Sequence, residues 1–392
     1  MRCLNATVSL PLIGTIQQLI DKEAIPRERV AKAVTELSRL FTKERATLNR
    51  AYLDDQAYAM AYLGYFLPVN LAKIQVLLNE MPAPEIGERF SVLDLGSGPG
   101  TGLLAVLDWW RQRASPHTLS IIAVDSSSRA LGQARRLWDR YCQLDNSQEA
   151  GLQTYVGDLE QRGWLEQVQQ KEPFDLIILA NCLNEIFAGA CDPIMARTAF
   201  VNESLALLAP HGTIMIVEPA LRETSRALHQ VRDHLLREKR CTIYSPCLHE
   251  SNCPALAKPD DWCHEERAWE PPVSIQEIDE EVGFIKDALK FSYLLLRKDG
   301  KIIVNRSPDV YRVVSELRKL KGEKRAWLCN EHGRQEVGRQ ERLASPQNEA
   351  FDQWHRGAIV QIERIVRKER GGKVSALGRL ERDAAVQIVR SV

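Results

Sequence analysis

The sequence predicts an α/β protein: a doubly wound core on a largely parallel sheet, a helical region before it and a small β domain after it. Three observations carry this. Five apolar β-like runs alternate with helical patterns between residues 91 and 219. Strands that are apolar throughout, rather than at every second residue, belong to a sheet covered on both faces. The first run, SVLDLGSGPG at 91–100, enters a Gly-rich turn and then a helical stretch. Beyond Arg306, short β-like runs are separated by basic and Gly-containing turns.

The elements follow in order. The N-terminal helical region, 1–88, holds an amphipathic helix over 27–48, with Val30, Val34, Leu37 and Leu40/Phe41 at helical spacing. A second helical stretch, 51–80, carries Tyr52, Tyr58, Tyr62 and Tyr65. That stripe reads first as packing beneath the next domain, with a base-stacking platform as the alternative. Pro82 and Pro84 end the region. The core, 89–305, contains the five runs at 91–95, 119–127, 152–159, 174–185 and 213–219, with helical patterns between them. A further strand, 291–300, belongs to the same sheet and is separated from it by a Cys-, Pro- and acid-rich insertion at 236–290. The last domain, 306–392, is expected to be a small, OB-like β domain built on RAWLC, AIVQIERIV and AVQIVRSV. No internal repeat is visible.

Composition narrows the class. The 392 residues suffice for two or three domains with a sizeable core. Nine Cys are too few for a disulfide scaffold. No run of about 18 apolar residues occurs, so no membrane span is expected. The N-terminus is broken by polar residues and Pro11 and does not read as a secretory signal. Asn5-Ala6-Thr7 fits a glycosylation pattern that matters only after secretion. A cytoplasmic, reducing setting is expected, where Cys clusters mean metal or redox chemistry more often than bridges.

The Gly-rich turn is the first chemical signal. Gly96, Ser97, Gly98 and Gly100 bring backbone against a ligand laid across the strand ends, where side chains would obstruct it. Such a turn also suits dinucleotides. Three acids lean it toward S-adenosylmethionine. Asp94 opens the motif, where it reaches the methionine amino group through water. Asp125 ends the next strand, at the place of a ribose diol. Asp158 ends the third, where an acid meets the adenine amine. Asn181 adds the edge of strand four. Together these residues resemble the class I methyltransferase, Rossmann-like fold. No catalytic residue stands out. Ala180-Asn181-Cys182-Leu183-Asn184-Glu185 is not the Asn/Asp-Pro-Pro-Tyr/Phe type that positions an amine. Cys182 lacks the preceding Pro of a pyrimidine-attacking thiol and reads as a small buried group. Glu218-Pro219 reads equally as a base or as a structural cap.

The second signal is Cys247, Cys253, Cys263 and Cys329. Four soft thiolates, three of them in a Pro-rich loop, suit an iron–sulfur cluster or a structural zinc. Their spacing lacks the tight pairs of a zinc ribbon, which favours the cluster. His249 and His264 are competing ligands but read as supporting groups. Cys3, Cys142, Cys182, Cys191 and Cys241 read as ordinary thiols.

At this point the sequence resembles a family: the mitochondrial small-ribosomal-subunit methyltransferase-like (Rsm-type) assembly proteins and their bacterial relatives. The resemblance rests on Ala51-Tyr52-Leu53 through Tyr65-Phe66-Leu67-Pro68, the turn at Leu93–Thr101, Leu183-Asn184-Glu185 and Glu218-Pro219-Ala220. It continues with Trp262-Cys263-His264, Phe291-Ser292-Tyr293, Arg306 and Trp327-Leu328-Cys329. It implies a four-iron, four-sulfur cluster on Cys247, Cys253, Cys263 and Cys329. It also implies association with the small ribosomal subunit or its rRNA during assembly, with methyl transfer itself an open question. This chain reads Ser245-Pro246-Cys247-Leu248-His249 where the family's usual loop has Cys-Pro-Cys-Pro-His. That removes a spare thiol and none of the four ligands.

Charge completes the expectation. The chain carries 52 Lys+Arg and 52 Asp+Glu, yet residues 286–392 hold 24 basic against 14 acidic side chains. The C-terminal part is therefore expected to bind RNA, with Tyr311, Trp327, Phe351 and Trp354 as exposed stacking groups among the basic residues.

Overall fold

The computed structural model describes residues 8–23, 25–45, 52–84, 87–114, 117–145, 149–169, 173–370 and 372–391. Cys3, the Asn5 triplet and Ala51 lie outside them. The first sheet begins with β1 (Arg89–Leu95), β2 (Thr118–Asp125), β3 (Ala150–Val156), β4 (Phe174–Ala180) and β5 (Leu208–Pro219). These five are parallel to their neighbours. β6 (Thr242–Ser245), β7 (Glu265–Ala268) and β8 (Ala288–Arg297) complete it. The strand order is β3-β2-β1-β4-β5-β8-β6, with β7 also on β8. β8 runs antiparallel to β5, β6 and β7. An antiparallel strand slotted beside β5, at the far end of an otherwise parallel order, is the class I methyltransferase arrangement.

Both faces of this sheet are buried, which is why its strands are apolar throughout. Val92, Ile121, Ile178 and Met215 face one apolar cluster. Leu93, Val124, Ile177 and Ile216 face the other. The first face is covered by α4 (Leu67–Glu80), α5 (Thr101–Gln112) and α6 (Ser128–Leu144), the second by α7 (Gly163–Val168), α8 (Pro193–Leu207) and α9 (Arg222–Arg237). Helix starts follow local chemistry: the side chains of Ser127 and Asp192 accept from the first free amides of α6 and α8.

The N-terminal helices α1 (Leu10–Lys22), α2 (Arg27–Thr42) and α3 (Gln56–Ala61) share the first cluster with the sheet, as does α10 (Val273–Val282) of the insertion. α1 is absent from the sequence expectation. Pro11 reads as a break, yet it stands in the first turn of α1, where its missing N–H costs nothing, and Ser9 caps that turn. The expected helix over 51–80 is interrupted by a π-helical segment, Tyr62–Phe66, between α3 and α4. The run Gln56–Glu80 is long and apolar enough to cross a bilayer, but 72% of its most apolar 18-residue stretch is buried inside the molecule.

The C-terminal sheet holds β9 (Val310–Val313), β10 (Arg318–Leu320), β11 (Glu323–Asn330) and β12 (Gly333–Gln340), then β13 (Ile359–Ile362), β14 (Val366–Arg370), β15 (Lys373–Arg379) and β16 (Val386–Arg390). Its order is β14-β15-β12-β11-β9-β13-β16, with β10 on β11. One expectation fails here. Phe351, Trp354 and Tyr311 are core residues of this sheet, 0%, 4% and 8% exposed. Only Trp327 is half-buried, with the Arg334 guanidinium 5.6 Å from its ring centroid. The rings of Tyr311, Phe351 and Trp354 pack with Leu328, Val360, Ile362 and Leu380 to close the interior of the sheet, where their large apolar area is buried.

The two sheets are joined by a buried ionic junction. Glu80, at the end of α4, accepts from Arg267 of β7 at 2.9 Å and from the Tyr293 hydroxyl of β8 at 2.5 Å, and bonds Ser245 of β6. Arg312 of β9 reaches Glu265 of β7 at 2.8 Å and Glu80 at 3.8 Å. The Arg312 and Arg267 guanidinium groups and the bonds from Ser245 and Tyr293 outweigh burial and hold the Glu80 carboxyl below its ordinary range.

Candidate functional site

Register brings the strand-end residues together. Leu95 pairs with Val124 and with Leu179, and Ala180 pairs with Val217. β1, β2, β4 and β5 therefore reach one edge together, where the chain continues as Gly96, Asp125, Asn181 and Glu218. The strand order reverses at β1, the switch point beside which open sheets of this kind bind their ligands.

The Gly-rich turn is closed by its own bonds. Gly96 N and Ser97 N donate to Val124 O at 2.9 and 3.1 Å, and Gly100 N donates to Ser97 O at 3.0 Å. Gly98 N donates to Asp125 Oδ2 at 2.8 Å. Gly96 stands at φ +70°, and a Cβ there would lie 2.6 Å from the Cys182 Cβ. Glycine is thus required both for the turn and for the close approach of the strand-four loop. A pyrophosphate needs such amides aimed outward. The amides of this turn are instead taken up by Val124, Ser97 and Asp125.

Asp94 is fully buried beneath the turn. Its Oδ2 accepts from Ser97 Oγ at 2.7 Å and from Leu103 N at 2.9 Å. Its Oδ1 has no partner among the described residues. Burial pushes its pKa up to about 6 against those two bonds. Asp125 accepts from Ser127 N at 2.8 Å as well as from Gly98 N. Burial raises its carboxyl, and the two amides pull it back. Asp158 is half-buried after β3 and is bonded within its own turn, from Glu160 N at 2.9 Å and Gln161 Nε2 at 3.3 Å. Asn181 stands at φ +59°, a strained setting for a side chain. Its N–H donates to Val217 O at 2.7 Å. The structure thus gathers Asp94, Gly96–Gly100, Asp125 and Asn181 at one edge, while Asp158 turns into its own loop.

Sequence reasoning did not assign a second set of residues around this edge. The π-helical segment re-aims Tyr62, whose hydroxyl lies 3.3 Å from Thr101 Oγ1 at the start of α5. The Tyr52 ring lies 6.3 Å from that of Tyr62. Burial raises the Tyr52 phenol, and so do Tyr62, Glu185 and Asp125 nearby. Arg45 bonds Asn184 Oδ1. Glu218 is buried, with Oε1 accepting from Asn184 N at 3.3 Å and Oε2 unpartnered among the described residues. Burial, with Glu185 adding to it, pushes its pKa up to about 8. Cys182 bonds Leu95 O at 3.2 Å. Burial and then the carboxyls of Glu218, Glu185, Asp94 and Asp125 raise its thiol well above the ordinary value. A thiol held protonated is a poor nucleophile. The Tyr stripe therefore divides, since Tyr65 is a core residue bonded to Asp279 at 2.5 Å.

The second centre lies between the insertion and the C-terminal sheet. Cys247, Cys253, Cys263 and Cys329 line one cavity of about 40 Å³, together with His249 and His264. No group of three or more His, Cys, Asp or Glu among the described residues is arranged to hold a metal ion as the side chains stand. The thiols nevertheless feel one another. Burial, then Cys247 and Cys263, raises Cys253. Burial, then Cys263, Cys247 and Cys253, raises Cys329. Cys263 is pushed up to about 11, with burial the largest cause. Cys329 Sγ lies 3.7 Å from His249 Nε2. Four convergent thiols lining a cavity roomier than one water are a donor set that fits a thiolate-held cluster.

With both centres described, similarity to known proteins becomes informative. The family model for the mitochondrial small ribosomal subunit protein Rsm22 matches residues 56–341. The chain belongs to the Rsm22 family. The matched span runs from α3 through the sheet, the four cysteines and β12. No curated sequence matches this Rsm22-family chain. Among solved structures it is similar to a putative class I S-adenosylmethionine-dependent methyltransferase of Listeria monocytogenes, at 13% identity over 76% of this chain and 82% of that one, TM-score 0.35. It is also similar to NSun6 of Pyrococcus horikoshii with SFG, at 13% identity, TM-score 0.34, covering 59% of this chain and about half, 52%, of that one. A Podospora anserina methyltransferase bound to SAH matches at 14% identity over 58% and 86%, TM-score 0.31. These likenesses are too distant to carry an argument. The fold assignment rests on the strand order.

Proposed function

We propose that this chain is a small-subunit rRNA-binding assembly protein that binds S-adenosylmethionine at the carboxyl edge of its parallel sheet and carries a four-iron cluster on its four convergent cysteines. The observation that carries the cofactor reading is the closed Gly-rich turn. With its amides bonded internally, it suits a ligand that brings no phosphate. Asp125 would meet the ribose diol and Asp94, with its unpartnered oxygen, the methionine amino end; Asp158, bonded within its own turn, would have to release Gln161 to meet the adenine amine. The bound cofactor supplies an electrophilic methyl group. The ribosomal partner follows the family's name, and the exposed Lys319, Lys321, Lys368 and Lys373 of the C-terminal sheet supply charge for a phosphate backbone. A reducing compartment suits thiolate ligands.

The reading as a non-catalytic factor is favoured over an active methyltransferase by the strand-four loop. Cys182 is held as a neutral thiol, and Asn184 is tied to Arg45, Asn181 and Glu218. Titration of the anaerobically purified protein with S-adenosylmethionine tests the cofactor reading; heat of binding is expected, and none would refute it. Mapping rRNA methylation in a deletion strain separates the two roles. An unchanged map beside immature small subunits is expected.

A further inference from the structure

Helix α9 packs Leu228, Val231 and Leu235 into the core beneath the sheet. Its other face carries Arg226, His229, Arg232 and Asp233, and every one of these is bonded to backbone of the cysteine-bearing loop. Arg226 donates to the carbonyls of Ala255, Lys258 and Asp261 at 3.1, 2.7 and 2.7 Å. His229 Nε2 meets Cys263 O at 3.0 Å, so Nε2 carries the proton. Arg232 donates to His249 O at 2.7 Å and to Ser251 O at 2.8 Å. Asp233 accepts from Cys253 N through both oxygens, at 3.1 and 2.9 Å, and is paired with Arg232.

Two features make this more than loop packing. The loop between β6 and β7 has little regular hydrogen bonding of its own, containing the short helical turn Pro254–Leu256 and a turn closed by Asp261 N on Lys258 O. Its carbonyls are therefore satisfied largely by one helix, at the flanks of three of the four cysteines. The Arg232 side chain is also wholly buried. A buried guanidinium is costly unless anions compensate it; here Asp233 pairs with it, and its bonds to the carbonyls of His249 and Ser251 set it beside the segment from Cys247 to Cys253, where thiolate ligands would add negative charge.

We propose that the polar face of α9 is the positioning template of the cysteine centre: Arg226, His229 and Asp233 hold its loop in ligand geometry before any group binds, and Arg232 is the fixed counter-charge of the anionic four-thiolate site. This rests on the reading of the four thiols as a ligand set. Because α9 holds the loop without the cluster, a metal-free chain keeps its fold.

The test uses the full chain, purified anaerobically and reconstituted with iron and sulfide. Arg232→Met and Asp233→Ala are expected to release iron to a chelator about ten- to a hundredfold faster than wild type. Arg232→Lys keeps the charge but loses the paired donation to His249 and Ser251. It is expected to retain a near-native reduction potential while still releasing iron faster, whereas Arg232→Met lowers the potential because a nearby positive charge is lost. Amide exchange of the chelated wild type is the metal-independent readout: Cys253 N–H is expected to stay protected, and to lose protection in Asp233→Ala. Wild type that takes up no iron would sink the cluster reading. Wild-type iron retention and potential in both Arg232→Met and Asp233→Ala, or an unprotected Cys253 amide in the chelated wild type, would overturn the template while leaving the cluster reading in place.

Discussion

At the sheet edge, each group comes from a turn that directly continues a strand, and the register of neighbouring strands brings Gly96, Asp125 and Asn181 together. At the cysteine centre, three thiols come from an irregular loop and the fourth from β11 of another sheet, and helix α9 and the Glu80 junction bring them together. The first centre is local geometry repeated along a sheet. The second is an assembly of distant segments through buried charge. The sheet edge should therefore respond to backbone changes, and the cysteine centre to changes in charged side chains far from any cysteine.

The largest effect is expected at the junction. Glu80→Gln leaves Arg267 and Arg312 buried with one compensating charge fewer, which costs about 3–5 kcal/mol. Urea unfolding measures it. Because Arg312 and Glu265 also border the cysteine cavity, iron retention should fall in the same variant. A loss below about 1 kcal/mol in the unfolding free energy would mean that apolar packing, rather than this ion network, joins the two sheets.

At the sheet edge the corresponding break is Gly96→Ala. Positive φ and a Cβ 2.6 Å from that of Cys182 together cost about 2–4 kcal/mol. S-adenosylmethionine binding should disappear with them. Adding Cys182→Gly removes the clashing atom and should recover the steric part, leaving the φ cost. If the double variant is no better than the single one, the strand-four loop does not press on the turn in solution.

The same contrast explains what was legible in the sequence. Apolar runs ending near Asp94, Asp125 and Asn181 predict strand ends, and a parallel sheet aligns strand ends, so their placement at one edge was legible; Asp158 was placed with them, but its carboxylate is taken up by its own turn. Glu218 was visible but undecided, since its environment depends on Asn184 and Arg45 from elsewhere in the chain. For the second centre, only the cysteines were legible. Arg232 and Asp233 look like ordinary charges on an amphipathic helix, and the carbonyls they hold leave no trace in side-chain identity. The aromatics of the C-terminal part misled for a related reason: alternation with basic residues marks a strand with one buried face as readily as a stacking surface.

A pH profile sharpens the account of the sheet edge. Glu218 keeps its proton up to about pH 8 in the fold, against an ordinary value of 4.5. Below 4.5 both folded and unfolded chains hold that proton, and the residue is neutral toward stability. Between the two values the unfolded chain ionises and the folded one does not, so Glu218 opposes folding increasingly as pH rises. Glu218→Gln keeps the acceptor for Asn184 N and removes the ionisation. Its advantage over wild type in urea should be absent near pH 4 and grow to the order of 2 kcal/mol by pH 8, less than the full shift because a buried site relaxes. A flat difference across that range would mean the carboxyl is solvated in solution.

The smallest effect on stability, and the most informative about partners, concerns the split of charge. The excess of basic residues after Lys286 does not all face solvent. Arg312 pairs with Glu265, Arg334 with Asp261 at 2.5 Å, Arg356 with Glu266 at 3.2 Å, and Arg306 with Glu250 at 3.0 Å. Part of the acidic body and basic tail therefore neutralise each other across the seam between the sheets. Under the RNA-binding proposal, the groups free to meet phosphate include the exposed lysines on β10, β14, β15 and their turns. Replacing Lys319, Lys321, Lys368 and Lys373 by Ala should leave the unfolding midpoint unchanged while weakening binding to small-subunit rRNA. Every lysine–phosphate pairing removed in this way should reduce the slope of log affinity against log salt by about 0.7 for single-stranded RNA. Arg356→Ala should do the reverse, loosening the seam with little change in that slope. If the four-lysine variant binds rRNA with wild-type slope, the excess charge exists to hold the two sheets together, and the RNA-facing surface lies elsewhere.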